Sequence, residues 1–194
     1  MSGTASNVLQ GTPLATGGVL AAPLGTALPT NTNTAPNAAF NSLGYVGEDG
    51  LTEGGERTTE KIKAWGGDTV KVVQTDHAVT YTLTLIETAN VNVLGAIYGP
   101  ANVTTTAATA SSGAVHAVKV NGDELGHAAY LFEMRDGDAR IRVAVPDGQI
   151  TSVGEIVYSD AGVIGYPVTI ECFPDAQGNK AYKYINDGRT TAAV

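Results

Sequence analysis

Residues 130–143 read YLFEMRDGDARIRV, and this stretch indicates a β-hairpin. Asp136-Gly137 suits a two-residue turn, because type I′ turns favour Asp-Gly. That turn predicts four cross-strand pairs: Arg135 with Asp138, Glu133 with Arg140, Phe132 with Ile141, and Tyr130 with Val143. Opposite charges on one face and apolar pairs on the other are typical of paired, half-buried strands. The stretch therefore predicts antiparallel β structure.

Further strand patterns surround this hairpin. Val79, Tyr81, Leu83 and Leu85 alternate with threonines, which indicates a half-buried strand. Five other segments have strand character: 58–65, 69–74, 149–158, 163–173 and 180–185. Turn sequences separate them, at 66–68, 146–148, 160–162 and near 178. Short strands at regular spacing favour a mainly β fold, an antiparallel β-sandwich or barrel.

One segment follows a helical period instead. Asn90 is a preferred N-cap, and Val91, Leu94 and Tyr98 follow at i, i+3 and i+7 before Gly99-Pro100 ends the run. This pattern predicts one short α-helix over residues 90–98. Its apolar stripe is expected to cover one end or face of the sheet.

The N-terminal part differs in composition from the rest of the chain. Residues 1–47 contain no charged side chain. Residues 18–24 can form a strand with Pro23 at an edge or bulge, because proline cannot donate to the ladder. Residues 30–41 have no period and predict a loop, or an arm that orders against another chain. We predict a single domain over 1–194, with an extended arm at 1–16 and a tail at 186–194.

Composition excludes several classes of function. The net charge is −8, and an acidic chain lacks the clustered Lys and Arg that grip nucleic acid. Cys172 is the single cysteine, so a disulfide within the chain is excluded and a small buried hydrophobe is expected. The sequence has no apolar run long enough for a membrane span and no secretory signal, which predicts synthesis in a cytoplasm and no membrane insertion.

Motifs for catalysis are missing from the sequence. The Gly-x-Ser-x-Gly elbow, the P-loop and the dinucleotide fingerprint do not occur. Glu124-x-x-His127 has a carboxylate–histidine metal spacing, but it is a single copy beside glycines that favour a turn. We therefore expect neither an enzyme nor a bound metal or cofactor. Trp65 is the single tryptophan, for which core packing is the first expectation and interface anchoring the second.

An acidic, glycine-rich segment at residues 47–57 is the candidate binding surface. A loop this long is either solvated or functional, and both interpretations remain open. In the second interpretation it docks on a neighbouring subunit, ordered by Tyr45, Leu51, Lys61 and Lys63. The candidate contact residues are Tyr45, Gly47, Glu48, Asp49, Leu51, Glu53, Glu56 and Arg57.

Several short segments of the sequence resemble those of a known protein family. Residues 43–51 read LGYVGEDGL, residues 60–68 read EKIKAWGGD, and residues 22–29 read APLGTALP. Together with the strand at 81–87 and the helix ending at Tyr98-Gly99, they resemble the major tail (tail tube) proteins of long-tailed, non-contractile bacteriophages. The resemblance is strongest to the tail tube proteins of phages that infect actinobacteria, and it is most specific between residues 22 and 99.

The resemblance implies a tail-tube-like β-sandwich or barrel that self-assembles into hexameric rings, which stack into a tube for genome delivery. It implies tape-measure, tail-terminator and distal tail proteins as partners, non-specific passage of double-stranded DNA, and a place in the virion tail after assembly in the host cytoplasm. It also assigns inter-ring contact to residues 47–57. Two alternatives stay open: a virion decoration or surface-binding β-sandwich module, and the tube protein of a contractile injection system.

Overall fold

The polypeptide path is given by a computed structural model, which describes residues 7–14 and 18–189. Its strands are β1 (Thr12–Pro13), β2 (Val19–Pro23), β3 (Asn41–Ser42), β4 (Thr52–Lys63), β5 (Thr69–Leu85), β6 (Val103–Thr106), β7 (Val115–Val118), β8 (Ala128–Asp136), β9 (Ala139–Val153), β10 (Tyr166–Cys172) and β11 (Tyr182–Asn186). Helix α1 spans Val91–Tyr98, and a 3-10 turn follows at Pro100–Asn102. The fold is mainly β, as the sequence predicts.

One antiparallel sheet contains nine of the described strands. The order is β3-β2-β8-β9-β10-β5-β4, with β1 added on β8 and β11 on β9, while β6 and β7 form a separate pair. The chain at and just after β3 joins β2 to β5, since Ser42 of β3 pairs with Leu20 of β2, Val46 forms a bridge to Leu85 of β5, and the N–H of Gly47 donates to the carbonyl oxygen of Thr84 over 2.8 Å. The sheet is thereby closed at this end into a barrel.

The barrel interior is filled by the alternating apolar residues of its strands. Tyr81, Leu83 and Leu85 of β5 are at most 3% exposed, which confirms the predicted half-buried strand. The Tyr81 and Phe132 rings approach to 4.9 Å between centroids and link β5 to β8 through the core. Burial of large side chains of this kind is the main stabilising contribution to such a fold.

Helix α1 covers the core, and its predicted position is confirmed. The Asn90 side chain accepts a hydrogen bond from the N–H of Asn92, as an N-cap does. The buried residues are Val93, Leu94 and Ile97, whereas Val91 is 44% exposed. The predicted stripe was therefore wrong at Val91, because the first residue after the cap lies at the rim of the contact.

The β8–β9 hairpin exists, but its predicted register was wrong. Asp136 pairs with Ala139 and Glu133 pairs with Arg142, so Gly137-Asp138 forms the turn in place of Asp136-Gly137. Gly137 has φ +57° and Asp138 does not have a positive φ, which is the arrangement of a turn with glycine at its first central position. A shift of two residues keeps each side chain on its predicted face.

A second correction concerns residues 146–148, which were predicted to form a turn. They lie inside β9, which runs without interruption through Val153. The β8–β9 register shifts between Ala128 and Tyr130, so the β9 strand has an extra residue there. Pro146 fits within this bulge because the ladder requires no N–H at that position.

The N-terminal part packs on its own chain. The Arg142 guanidinium donates to the carbonyl oxygens of Asn31 (2.6 Å) and Thr34 (2.7 Å), and Phe40 is buried beside β8. These contacts hold residues 31–40 against the sheet of their own chain. Of the predicted arm, Thr12 and Pro13 pair with β8, while residues 1–6 and 15–16 lie outside the described residues, as do 190–194 of the predicted tail.

Candidate assembly surface

The candidate surface begins with residues 43–46, which are fixed to the barrel. Leu43 is buried, and its N–H donates to the carbonyl oxygen of Val19 over 2.9 Å. The carbonyl oxygen of Tyr45 accepts from the N–H of Ile86 over 3.1 Å. The Tyr45 side chain nevertheless is 69% exposed, so a rigid backbone presents an open aromatic ring.

A glycine is required in the middle of this segment. Gly44 has φ +75°, and a Cβ atom there would lie 2.0 Å from the carboxyl carbon of Glu87. That carboxylate accepts the N–H of Tyr45 over 3.0 Å and the side-chain amide of Asn90 over 3.0 Å. One acidic side chain therefore joins the candidate surface to the cap of α1.

The predicted 47–57 loop is a short turn followed by a strand. The N–H of Gly50 donates to the carbonyl oxygen of Gly47 over 3.0 Å, and Glu48 and Asp49 are exposed on this turn. Leu51 then packs half-buried against the core. The long flexible loop expected from the sequence is thus confined to residues 47–51.

Residues 52–57 belong to β4, which corrects the expectation of an extended loop. Thr52 pairs with Thr82 and Arg57 with His77 of β5. Gly54 sits where a Cβ atom would lie 2.6 Å from the Thr80 hydroxyl, so close cross-strand approach explains this glycine better than flexibility. Residues 69–85 contain many β-branched residues and no glycine or proline, which is the sequence signal for a strand long enough to pair with residues 52–63.

The candidate residues within β4 keep their side chains at the surface. Glu53, Glu56 and Arg57 are exposed, and the Glu53 carboxylate forms an ion pair of 2.5 Å with Lys183. Lys61 and Lys63, which were expected to support docking on a neighbouring subunit, lie further along the hairpin and are exposed. The structure therefore places the candidate residues along a turn and one strand.

The outer half of the β4–β5 hairpin was overlooked as a binding surface. Residues 55–72 are all exposed, including large apolar side chains that a core would bury. Trp65 at the tip is 107% exposed, so the expectation of core packing was wrong. The other exposed apolar residues are Ile62 (47%), Val70 (64%) and Val72 (55%). Exposed apolar groups in one protruding element indicate a contact surface.

The outer half differs in charge from the rest of the chain. Its basic residues are Arg57, Lys61, Lys63 and Lys71, and its acidic residues are Glu56, Glu60 and Asp68, which gives a net charge of +1 in a chain whose net charge is −8. The outer half is thus slightly basic on an acidic protein, which favours contact with an acidic surface.

An apolar groove of about 470 Å³ lies between α1 and the start of β8. Its floor includes the buried Leu43 and Tyr130, and burial raises the pKa of the Tyr130 hydroxyl to about 12. Small residues form the walls, among them Ala22, Gly95 and Ala96. A groove with such short walls has room for a large side chain from outside.

The acidic and histidine residues that suggested a metal motif have other partners. His127 Nδ1 lies 2.5 Å from Asp147 Oδ1, and Glu124 accepts from the Gln149 side chain over 3.3 Å. Among the residues described, no group of three or more His, Cys, Asp or Glu side chains is arranged to hold a metal. Glu124 and His127 are better explained as anchors of the segment that precedes β8.

Cys172 is fully buried in the core, as expected from the sequence. Burial is the main cause that raises the pKa of its thiol to about 12. A thiol in this state is protonated at neutral pH and is neither a nucleophile nor a metal ligand.

Comparison with known proteins identifies the family. The family model described as "Phage tail tube protein" matches residues 1–194, and the chain therefore belongs to the phage tail tube proteins. Comparison with curated protein sequences gives no significant match. Among solved structures, a chain of "an Extracellular Contractile Injection System, PVC sheath-tube complex in extended state" matches with a TM-score of 0.37 and 8% identity, over 94% of this chain and 98% of that chain.

Family membership gives the function at a coarse level. The protein is a structural component of a phage tail, of a family that self-assembles into a tube and is not a family of enzymes. In the described part of the chain, no helix has the length and apolar character needed to cross a membrane. The exposed turn at 47–51, the β4–β5 hairpin and the groove beside α1 are the surfaces available for assembly.

Proposed function

We propose that the chain forms hexameric rings, and that these rings stack into the tube of a long, non-contractile phage tail through which the genome passes into the host. The family supports a tube, and the phrases at residues 22–29, 43–51 and 60–68 support the non-contractile type and actinobacterial hosts. Assembly takes place in the host cytoplasm, with tape-measure, tail-terminator and distal tail proteins as partners.

The observation that carries this proposal is the open edge of β4. This strand has twelve residues and lies at the end of the sheet order, paired on one side with β5. Within the described residues, β4 has no strand on its other side. Long open edges are usually shortened or covered in monomeric proteins, whereas an edge completed by a neighbouring copy suits a polymer.

A ring also needs contacts that propagate to the next ring, and we assign these to residues 45–57. Tyr45, Glu48, Asp49, Glu53, Glu56 and Arg57 are exposed there, with Gly47 and Leu51 forming the supporting turn. Head-to-tail contacts of this kind remain open at both ends of a stack and allow growth.

The charge of the chain is suited to the passage of DNA. A net charge of −8 gives a surface that repels phosphates on average, so that double-stranded DNA moves along it without specific binding. No sequence recognition is needed for this role.

Negative-stain microscopy of the purified protein at increasing concentration tests the proposal. We expect rings at intermediate concentration and tubes at high concentration, with six-fold symmetry in end views. Persistent monomers in the presence of the other tail components would contradict tube formation, and rings of another symmetry would contradict the hexamer.

The role of the 47–51 turn needs a separate test. Deleting the segment 47–55 would remove the first four residues of β4, which pair with β5, so substitutions are preferable. Glu48→Lys with Asp49→Lys is expected to leave the monomer folded and to prevent stacking. Glu155→Lys with Asp160→Lys makes the same charge change at exposed positions elsewhere and should leave tubes intact. Equal tube growth by both variants would contradict the assigned contact.

A further inference from the structure

We propose that Trp65 at the tip of the β4–β5 hairpin inserts into the groove beside α1 of a neighbouring copy. This proposal rests on the self-assembly of the proposed function and adds its contact residues. The partner surface belongs to a second copy of this chain, and the contact is head-to-tail, because tip and groove are different surfaces of the molecule.

The hairpin tip holds Trp65 away from its own chain. The N–H of Gly67 donates to the carbonyl oxygen of Ala64 over 3.0 Å, and the N–H of Ala64 donates to that of Asp68 over 2.8 Å, which closes the turn around the tryptophan. Cβ atoms at Gly66 or Gly67 would meet nothing within 4 Å, so the space around the tip is open. A large aromatic side chain in this position is typical of an interface anchor.

The groove has the dimensions and chemistry to accept an indole. Its volume of about 470 Å³ falls within the range of ordinary ligand sites, and its floor of Leu43 and Tyr130 belongs to the barrel core. The absence of side chains larger than methyl at Ala22, Gly95 and Ala96 leaves room between helix and strand. An anchor buried here would be shielded from water on most sides.

Polar groups at the groove match the one polar atom of tryptophan. Asn41 and Asn92 line the groove, and their side-chain amides donate to the carbonyl oxygens of Ala39 (3.1 Å) and Ser42 (3.4 Å). Their own carbonyl oxygens can therefore accept from an entering indole N–H, which needs a partner when buried.

Self-assembly of the tail tube family selects the hairpin of a second copy as the occupant. None of the described residues that line the groove is acidic, but Asp123 and Glu124 directly precede Leu125 at its edge. Lys61 and Lys63 lie near the hairpin tip, together with Asp68. Opposite charges beside an apolar contact of this kind steer association.

Intrinsic fluorescence reports on this contact directly, because Trp65 is the single tryptophan of the chain. We expect assembly to shift the emission to shorter wavelength and to protect the fluorescence from acrylamide quenching. Tubes whose tryptophan emission and quenching equal those of the monomer would overturn the proposal.

Cysteine cross-linking locates the partner surface. Ala64→Cys, which keeps the adjacent Trp65, in one preparation and Gly95→Cys in another are mixed under mild oxidation, with the buried Cys172 providing little background. We expect a mixed disulfide-linked dimer. The matched control pairs Ala64→Cys with Tyr158→Cys, an exposed position (72%) outside the groove, and should give little product. Equal or greater cross-linking to position 158 would overturn the groove assignment.

Assembly assays complete the test. Trp65→Ala is expected to raise the concentration required for assembly about 30-fold, the change that corresponds to loss of a hot-spot residue. Tyr158→Ala removes an exposed aromatic elsewhere and should leave that concentration unchanged. Assembly of Trp65→Ala at the wild-type concentration would overturn the anchor while leaving the tube intact. Failure of the wild-type chain to form tubes would instead contradict the proposed function.

Discussion

At Gly44, a backbone with positive φ and the carboxylate of Glu87 occupy the space that a side chain would need. The same carboxylate accepts hydrogen bonds from Tyr45 and Asn90, so it cannot move away without losing both. The sequence motif Leu43-Gly44-Tyr45 thus has a structural cause that its letters alone do not reveal, because Glu87 is distant in sequence.

We predict that Gly44→Ala lowers the free energy of unfolding by about 2–4 kcal/mol, because backbone strain and a steric clash with Glu87 act together. Gly50→Ala is the matched control. Gly50 has a similar φ of +70°, but a Cβ atom there meets nothing within 4 Å. Urea denaturation of both variants separates the two effects, and equal losses would show that the clash contributes nothing.

Glu133 and Arg142 form an ion pair at the centre of the β8–β9 hairpin, with side chains 9% and 6% exposed. The Arg142 Nε donates to Glu133 Oε1 over 2.6 Å, and its Nη1 holds the carbonyl oxygens of residues 31 and 34. The N-terminal loop is therefore attached to the sheet through one guanidinium. Buried pairs of this kind specify geometry more clearly than they add stability.

Replacing one partner of this pair leaves the other charge buried and unpaired. We predict that Arg142→Met lowers the free energy of unfolding by about 3–5 kcal/mol. Arg140→Met, on the same strand but exposed, is expected to change it by less than about 0.5 kcal/mol. Chemical denaturation measures both, and similar values for the two variants would contradict the structural role of Arg142.

Among the elements, the β4–β5 hairpin was only partly predictable from sequence. The alternation at Tyr81, Leu83 and Leu85 predicted the buried half of β5, because one face meets the core. The acidic, glycine-rich half of β4 shows no alternation of apolar and polar residues. This half is held in the sheet by backbone pairing with β5, and residues 55–72 of the outer hairpin are exposed on both faces, so no face requires apolar side chains. The β8–β9 register was missed for a related reason: the turn sequence DGD allows two positions, and the buried Glu133–Arg142 pair selects one.

The exposed apolar residues of the hairpin are expected to stabilise association between copies and to contribute little to the stability of the folded monomer. We predict that Ile62→Ser with Val72→Ser leaves the monomer's free energy of unfolding within about 1 kcal/mol of wild type. The same variant should reduce assembly, measured by light scattering or sedimentation. The control Val157→Ser with Val163→Ser changes exposed valines outside the hairpin, at 58% and 76% exposure, and should assemble normally. A control that fails equally would show a general effect of surface polarity.

For the molecule as a whole, the mainly β class, the helix at α1 and the absence of catalytic motifs followed from pattern and composition. Tertiary arrangement did not follow, because contacts such as Val46 with Leu85, which close the barrel, join segments without local sequence signals. The groove was unpredictable for the same reason, since residues from β2, α1 and the segment before β8 meet only in the folded chain. Trp65 was misplaced because large aromatics are usually buried, whereas here the hairpin carries it outward.

The buried ionisable groups of the core predict loss of stability in alkali. Burial raises the pKa values of Cys172 and Tyr130 to about 12, so the unfolded chain releases these protons at lower pH than the folded chain. The free energy of unfolding should therefore fall as pH rises from about 9 towards 12, by about 2 kcal/mol near pH 10.5 from the thiol alone. Cys172→Val should show a smaller decrease between pH 8 and about 10.5 in urea denaturation. An equal decrease in the two proteins would contradict the contribution of the thiol.

The pairing of β2 with β8 has a consequence for synthesis on the ribosome. Val19 pairs with Phe132, so β2 can pair early with β3 but cannot pair with β8 until more than half of the chain has been made. At about 5–20 residues per second this delay is roughly 5–20 s, far longer than the formation of a local hairpin. The β4–β5 hairpin can form as soon as it emerges, and we expect β2 to join the sheet only after β8 has been made, when β4 and β5 are already paired.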